Sequence, residues 1–374
     1  MNILNKKLFF GLAVAFVIAG ILFLVFAENK NKKEEIVIDK TEKTEKPEIV
    51  EGLIKNAKDQ KVETKALTPK KEEVKIAIEE PLPEGTERFV VQIGATRESI
   101  SENLFSLGYI KNKDSFLSLI NKKEEDVLPG AYKISKGMKD SDLVKILYSK
   151  PYMKWVVIKP GLRKEEIAEI LSVALNWDKN QKEKWLTKDT TISPEYVEGV
   201  YYPDTYLIPV TDTTEMVAKR LISKFNEKFS GYLPLFTEKN IKWARALTLA
   251  SIVQREASSA SDMPLIAGIL WNRLNQEIAL GVDATLQYQR GNKGNGWWAP
   301  ISVSEKNIDS PFNTYKNKGL PPHPISNPGV SAIEAVLYPK ETECVYYIHD
   351  KNKNTHCAKT YEEHIQNIQN YLIN

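Results

Sequence analysis

Cysteine and histidine are scarce: two and four in 374 residues. Cys344 and Cys357 are too few for a disulfide framework, although outside the cytoplasm they could pair with each other. His349, His356 and His364 gather near the C-terminus with Cys357, yet none shows a zinc-ligand spacing; residues of a surface hairpin account for them better than a metal centre. A net charge of +3, with no basic stripe interleaved with aromatics, argues against nucleic acid. No Gly-rich phosphate loop stands out, which disfavours a pyridoxal-phosphate enzyme. From Glu28 to Pro83 there is no aromatic residue at all, and Lys, Glu and Asp fill about half of the positions. Such a stretch cannot bury enough apolar surface to offset its ordering entropy, so it reads as a disordered tether. Its ends would average on the order of 40 Å apart. A partly helical Glu/Lys-paired spacer is the alternative, interrupted by Pro47, Pro69, Pro81 and Pro83.

Ahead of the tether, Leu8 to Ala27 are uncharged and mostly apolar, long enough to cross a bilayer as one helix. Lys6 and Lys7 precede the run and Lys30, Lys32 and Lys33 follow it, so lysine counting leaves the orientation open. Val25-Phe26-Ala27 resembles a signal-peptide cleavage site, but the run is long for a signal sequence, which favours an uncleaved anchor.

After the tether a pattern recurs: a short strand-like run, a glycine, then apolar residues six and ten positions later. The copies are Phe89–Ile93 with Gly94, Ile100 and Leu104; Tyr132–Ile134 with Gly137, Leu143 and Leu147; and Trp155–Ile158 with Gly161, Ile167 and Leu171. Each predicts strand, tight turn and helix. A further helix fits Phe116, Leu117, Leu119 and Ile120. The fold class is therefore α+β, with a small α+β module at 86–180 and a larger α+β domain at 181–374.

In the larger domain one carboxyl stands out. Leu249, Ile252, Val253 and Glu256 occupy successive positions of one helical stripe, so Glu256 is aimed where a helix usually buries a leucine. Desolvation there raises a carboxyl pKa, as a general acid near neutral pH requires. A glutamate at the stripe's edge, capping a turn or pairing with an arginine, would give the same pattern. A second helix begins near Asp262, placed to cap, with Pro264 in its first turn. A Pro- and Gly-rich stretch from Ser310 to Gly329 predicts a shaped loop lining a cleft. A hairpin, Cys344 to Ile348 then His356 to Thr360, and a terminal helix close the chain.

Seven blocks occur in order: EG-x-Y-x-PDTY at 198–206, LASIV-x-x-E at 249–256, NRL at 272–274, D-x-T-x-x-Y at 283–288, SP-x-NTY at 310–315, GLPP at 319–322 and NPG at 327–329. With the N-terminal anchor, they make the chain resemble the endolytic murein transglycosylase family (MltG or YceG-like proteins) from about residue 88 to the end. The resemblance implies a bacterial enzyme with a cytoplasmic tail at 1–7, a transmembrane helix at 8–27 and a disordered tether at 28–85. A LysM-like module would follow at 86–180, and a catalytic transglycosylase domain at 181–374 would act on the extracytoplasmic side of the inner membrane. Its partners would be peptidoglycan glycan strands, the lipid bilayer through the N-terminal helix, and cell-wall synthesis proteins; no cofactor or metal is implied.

The family's essential glutamate falls on Glu256. Many relatives carry another glutamate two positions earlier, where this chain has Gln254; Ala284 and His323 replace a usual proline and glycine. Lytic transglycosylases can work with one carboxyl, whereas hydrolysis of a glycoside normally takes two. Protonated Glu256 would donate to the oxygen between N-acetylmuramic acid and N-acetylglucosamine, then accept the proton of the muramyl C6 hydroxyl as a 1,6-anhydro ring closes. Asp283, or the pair Glu198 and Asp204, could stabilise the oxocarbenium-like state, although a turn aspartate is equally consistent for the first and Pro203 favours a scaffold role for the pair. Tyr202, Gln287, Asn313 and Tyr315 are the remaining candidate substrate-binding residues. A non-catalytic peptidoglycan-binding anchor and a hydrolytic muramidase remain the rival readings.

Overall fold

The structure, a computed structural model, describes residues 81–191 and 197–373. The expected transmembrane run and residues 28–80 of the expected tether lie outside them. No helix among the described residues is long and apolar enough to cross a membrane.

The strand–turn–helix pattern builds one antiparallel sheet of order β1-β2-β3-β4. Its strands are β1 (Glu87–Val91), β2 (Gly130–Ile134), β3 (Met153–Val157) and β4 (Thr205–Pro209). Each of the first three leads through a turn into a helix: α1 (Arg97–Ser106), followed by α2 (Lys113–Ile120); α3 (Asp140–Leu147); and α4 (Lys164–Leu175). Gly94, Gly137 and Gly161 take φ of +77°, +80° and +84°, a conformation that only glycine adopts without strain, which explains their place in the repeat. Thr96 caps α1 by accepting from the Ser99 N–H at 3.2 Å, and Asn112 caps α2 through Ser115 at 2.9 Å. The six spaced apolar residues, Ile100, Leu104, Leu143, Leu147, Ile167 and Leu171, are all at most 2% exposed.

Packing divides the three units differently from their sequence pattern. Phe89, Ile100, Leu104, Phe116, Leu143 and Leu147 belong to a small core. Ile167 and Leu171, from the third unit, join Val156 and Ile158 in the larger core that also holds the Glu256 helix. The sheet is thinnest at this change, with Ala131 and Met153 the one register pair between β2 and β3, against five between β3 and β4.

The larger core is mainly helical. It continues with α5 (Lys179–Lys184), whose end widens into a π turn (Trp185–Asp189), then α6 (Thr214–Phe229), α7 (Leu233–Glu238), α8 (Trp243–Glu256) and α9 (Met263–Asn275). After these come α10 (Asp283–Arg290), α11 (Val330–Leu337), the hairpin β5 (Tyr346–His349) and β6 (Thr355–Ala358), and α12 (Tyr361–Ile368). Helices α8, α9 and α11 pack against one another, α10 packs on α8, and β5 lies against α9. Cys344 and Cys357 form a disulfide that closes the base of the hairpin.

Replacing both cysteines by serine (Cys344→Ser with Cys357→Ser) frees a short loop in the unfolded chain and should lower the unfolding free energy by about 3 kcal/mol in urea titrations. An unchanged midpoint would mean that the bond contributes nothing to stability.

Candidate active site

Helix α8 is buried along most of its length: Leu249, Ala250, Ser251, Ile252 and Val253 are each 0% exposed. Ala257 turns extended (ψ 139°) and ends the helix, leaving Glu256 in its last turn, where the core gives way to solvent. That turn carries the negative end of the helix dipole, which disfavours a carboxylate. Burial acts in the same direction and is the largest cause of a Glu256 pKa above the ordinary value. The Tyr347 hydroxyl opposes it by donating to Oε2 at 2.6 Å. The charge of Asp283 raises the value further, while His349 and Arg255 pull it down. Arg255 does not pair with the carboxyl: its guanidinium lies 3.8 Å over the Trp298 ring and donates to the Gly161 carbonyl at 3.3 Å.

Asp283 opens α10, close enough for its charge to act on Glu256. The Tyr315 hydroxyl donates to its Oδ1, the Lys306 ammonium stands 3.6 Å from the same oxygen, and that ammonium lies 4.4 Å over the Tyr315 ring. Thr314 fixes the start of α10, its hydroxyl accepting from the Val282 N–H at 3.0 Å and lying 3.0 Å from the Thr285 hydroxyl. Gln287 lies one turn on from Asp283, on the same helical face. It is partly exposed, and its side chain has no hydrogen-bond partner among the described residues.

Other expected ligands lie elsewhere. Asn313 is 0% exposed; its amide donates to the Lys306 and Ile308 carbonyls and its oxygen accepts from the Tyr315 N–H. No polar atom is left for a sugar, so Asn313 shapes the loop that presents Tyr315 and Lys306. Glu198 is also 0% exposed, between the Asn327 amide at 2.6 Å, the Lys164 N–H at 3.2 Å and the Tyr288 hydroxyl at 3.4 Å. Burial, reinforced by Glu165, pushes its carboxyl up to about 8. Asp204 accepts from the Thr205 N–H at 2.7 Å at the start of β4. Glu198 is thus enclosed and fixes the chain around it, whereas the Asp204 side chain is half-exposed. Tyr202 lines a cavity of about 430 Å³ with Pro160, Gln254, Ser258, Met263 and Gly329, and Glu256 is not among the lining residues. Gln254, about 200° around the helix from Glu256, accepts from the Gly329 N–H at 3.0 Å. A neutral amide serves that backbone contact without a charge.

Two clamps hold this arrangement. In the first, Asn327 accepts from the Tyr201 N–H at 2.8 Å and donates to Leu162 and Glu198, while Ile325 donates to the Ser251 hydroxyl on α8 at 3.0 Å. Gly199 allows the close approach: a Cβ there would lie 2.8 Å from Pro324. In the second, Asn272 donates to the Thr342 and Cys344 carbonyls at 2.7 and 3.0 Å, and Arg273 to Val345 at 2.5 Å and Leu280 at 2.6 Å. The NRL block thus ties α9 to the hairpin that carries Tyr347. Asp262, expected to cap α9, does not. Its carboxylate accepts from Ser258 and Ser259 in the preceding turn and from Thr355 at 3.0 Å, and it pairs with His349 at 3.1 Å.

Sequence reasoning missed Tyr347, His349 and Lys306. The first two alternate on one face of β5, a period-two signal, but nothing local shows that this face meets Glu256, 91 positions away.

The YceG-like family model matches residues 89–370. A protein of Streptococcus pneumoniae (strain D39) named endolytic murein transglycosylase is 27% identical over 332 residues, covering 78% of this chain and 58% of that protein. One of the same name from Bacillus subtilis (strain 168) is 28% identical over 302 residues, covering 75% of this chain and 83% of that protein. The chain thus spans 58% of the length of the pneumococcal relative. A crystal structure of a putative YceG-like protein from Listeria monocytogenes is 26% identical with a TM-score of 0.55, covering 75% of this chain and 98% of that one.

Glu198 makes stability pH-dependent. Its folded pKa of about 8 exceeds the ordinary 4.5. Its contribution is therefore most favourable below the unfolded value, declines as pH rises through that window and is lost above the folded value. Glu198→Gln should stabilise the protein relative to wild type progressively between about pH 5 and 8, as read in thermal melts across pH. A difference that does not vary with pH would contradict this placement.

Proposed function

Since the chain belongs to the YceG-like family, we propose that it is a lytic transglycosylase that cuts peptidoglycan glycan strands internally. The observation that carries the reading is the Glu256 carboxyl, held at the dry end of α8 with its pKa raised and bonded to a phenol rather than a cation. Two similar proteins named endolytic murein transglycosylase support the same chemistry.

In this reading protonated Glu256 gives its proton to the glycosidic oxygen between N-acetylmuramic acid and N-acetylglucosamine. The C1–O bond breaks, and its electron pair leaves with that oxygen. The C6 hydroxyl of the muramyl unit closes on C1 and its proton returns to the Glu256 carboxylate. The product is a 1,6-anhydro end, and no water is consumed. Asp283 stabilises the oxocarbenium-like charge from across the opening, held in place by Tyr315 and Lys306. Gln287 and the Tyr315 ring take up sugar groups. The small module at the N-terminal end of the sheet acts as a LysM-like glycan-binding element. Leu8–Ala27 anchors the enzyme in the bacterial cytoplasmic membrane with its catalytic part outside the cytoplasm. Cell-wall synthesis proteins are its further partners.

Glu256→Gln keeps the side-chain volume and removes the proton cycle. Release of anhydro-muropeptides from purified glycan strands, scored by mass spectrometry, should fall by roughly 10² to 10⁴; full activity would end this mechanism. In the wild type, kcat/KM should fall as pH rises through the Glu256 pKa, because the free enzyme must carry the proton.

A further inference from the structure

The two oxygens of Glu256 are not alike. Oε2 accepts the Tyr347 hydroxyl at 2.6 Å, whereas Oε1 has no hydrogen-bond partner among the described residues. A carboxyl that serves as acid and then as base performs best when the proton leaves from and returns to one oxygen, with no rotation between the two steps. We propose that Tyr347 is the positioning residue for this alternation: it holds Oε2, so that Oε1 alone carries, donates and recovers the proton. The inference rests on the transglycosylase reading for its chemistry.

Tyr347 is built to hold that position. It pairs across the hairpin with Cys357, one half of the disulfide, and the segment just before β5 is fastened to α9 through Asn272 and Arg273. A phenol has one proton to donate, and here it is directed at Oε2. Burial and the neighbouring Glu256 charge keep the Tyr347 pKa well above the ordinary tyrosine value, so the hydroxyl remains a donor in both stages. The other groups facing the carboxyl act through space: Asp283 from α10, His349 on β5 and Arg255 on α8 itself. Arg273 on α9 acts on the phenol, and Tyr315 on the shaped loop interacts with both the phenol and the Glu256 charge. Among the described residues only Tyr347 hydrogen-bonds to the carboxyl.

During the first step Oε1 loses its proton to the leaving oxygen, and the charge that develops on the carboxylate is met at Oε2 by the phenol. In the second, the C6 hydroxyl proton arrives at Oε1 while the phenol still points at Oε2. Tyr347 neither gains nor loses a proton over the cycle.

The test is Tyr347→Phe, which keeps the ring and removes the donor. Loss of one hydrogen bond to a charged group should lower kcat by about tenfold or more with KM little changed. The alkaline limb of kcat/KM should move up by about 1 pH unit. Carbon-13 titration of the Glu256 carboxyl, assigned by difference against Glu256→Gln, should move the same way with no substrate present. Incorporating difluorotyrosine at 347 makes the phenol a stronger donor without changing its shape, and should move both midpoints down. It decides the matter even if the phenylalanine variant fails to fold. Midpoints that coincide with wild type would overturn the inference, whatever happens to kcat. A wild type that releases no anhydro ends would instead remove the transglycosylase reading, while the substrate-free titration still reports whether Tyr347 holds the carboxyl.

Discussion

A carboxyl at the dry end of a buried helix must find a counter-charge, or a donor that leaves it able to keep its proton. Glu256 is under that constraint because α8 is sealed from Leu249 to Val253 and stops at Ala257. An arginine at hydrogen-bond distance would have held it as a carboxylate. Arg255 is adjacent in sequence, but its guanidinium is drawn off by the Trp298 face and the Gly161 carbonyl. What reaches the carboxyl is the Tyr347 hydroxyl, a neutral donor that steadies the anion without committing the group to it. The helix terminus acts in the same direction as burial.

Keeping that balance takes support from distant parts of the chain. The hairpin is a two-stranded ribbon, an element that is marginal by itself. Asn272 and Arg273 fasten it to α9 and Asp262 to the turn after α8, while the disulfide joins its own two sides. On the other side of α8, the 319–329 loop is locked by Asn327, Ser251 and the buried Glu198. The polar residues named here therefore divide into two groups. Glu198, Asn313 and Asn327 are fully enclosed and fix loop shape. Glu256, Asp283, Gln287, Tyr315 and Tyr347 each keep part of their surface exposed, although the Glu256 carboxyl and the Tyr347 hydroxyl are themselves buried.

Much of this was legible beforehand, for a physical reason. Strand–turn–helix units announce themselves through local spacing, because a glycine with positive φ and two apolar residues on one helical face are properties of neighbouring positions. Glu256 was visible by the same logic, as a charge on an apolar stripe. What stayed hidden depends on partners far apart in the chain. Asn313 and Glu198 carry the side chains of ligand-binding residues, and only tertiary packing shows that their polar atoms are already engaged. Tyr347 meets Glu256 across 91 positions. The third strand–turn–helix unit matches the first two in pattern yet packs in the other core, since spacing tells which face is buried and not what covers it.

The central claim is that one carboxyl handles both proton transfers and that water takes no part. Digesting purified glycan strands in water enriched with heavy oxygen tests it directly, with the products read by mass spectrometry. The account predicts new ends that carry no heavy oxygen and weigh one water less than reducing ends. Incorporation of heavy oxygen at the new muramyl C1 would contradict it and assign the chain to hydrolysis.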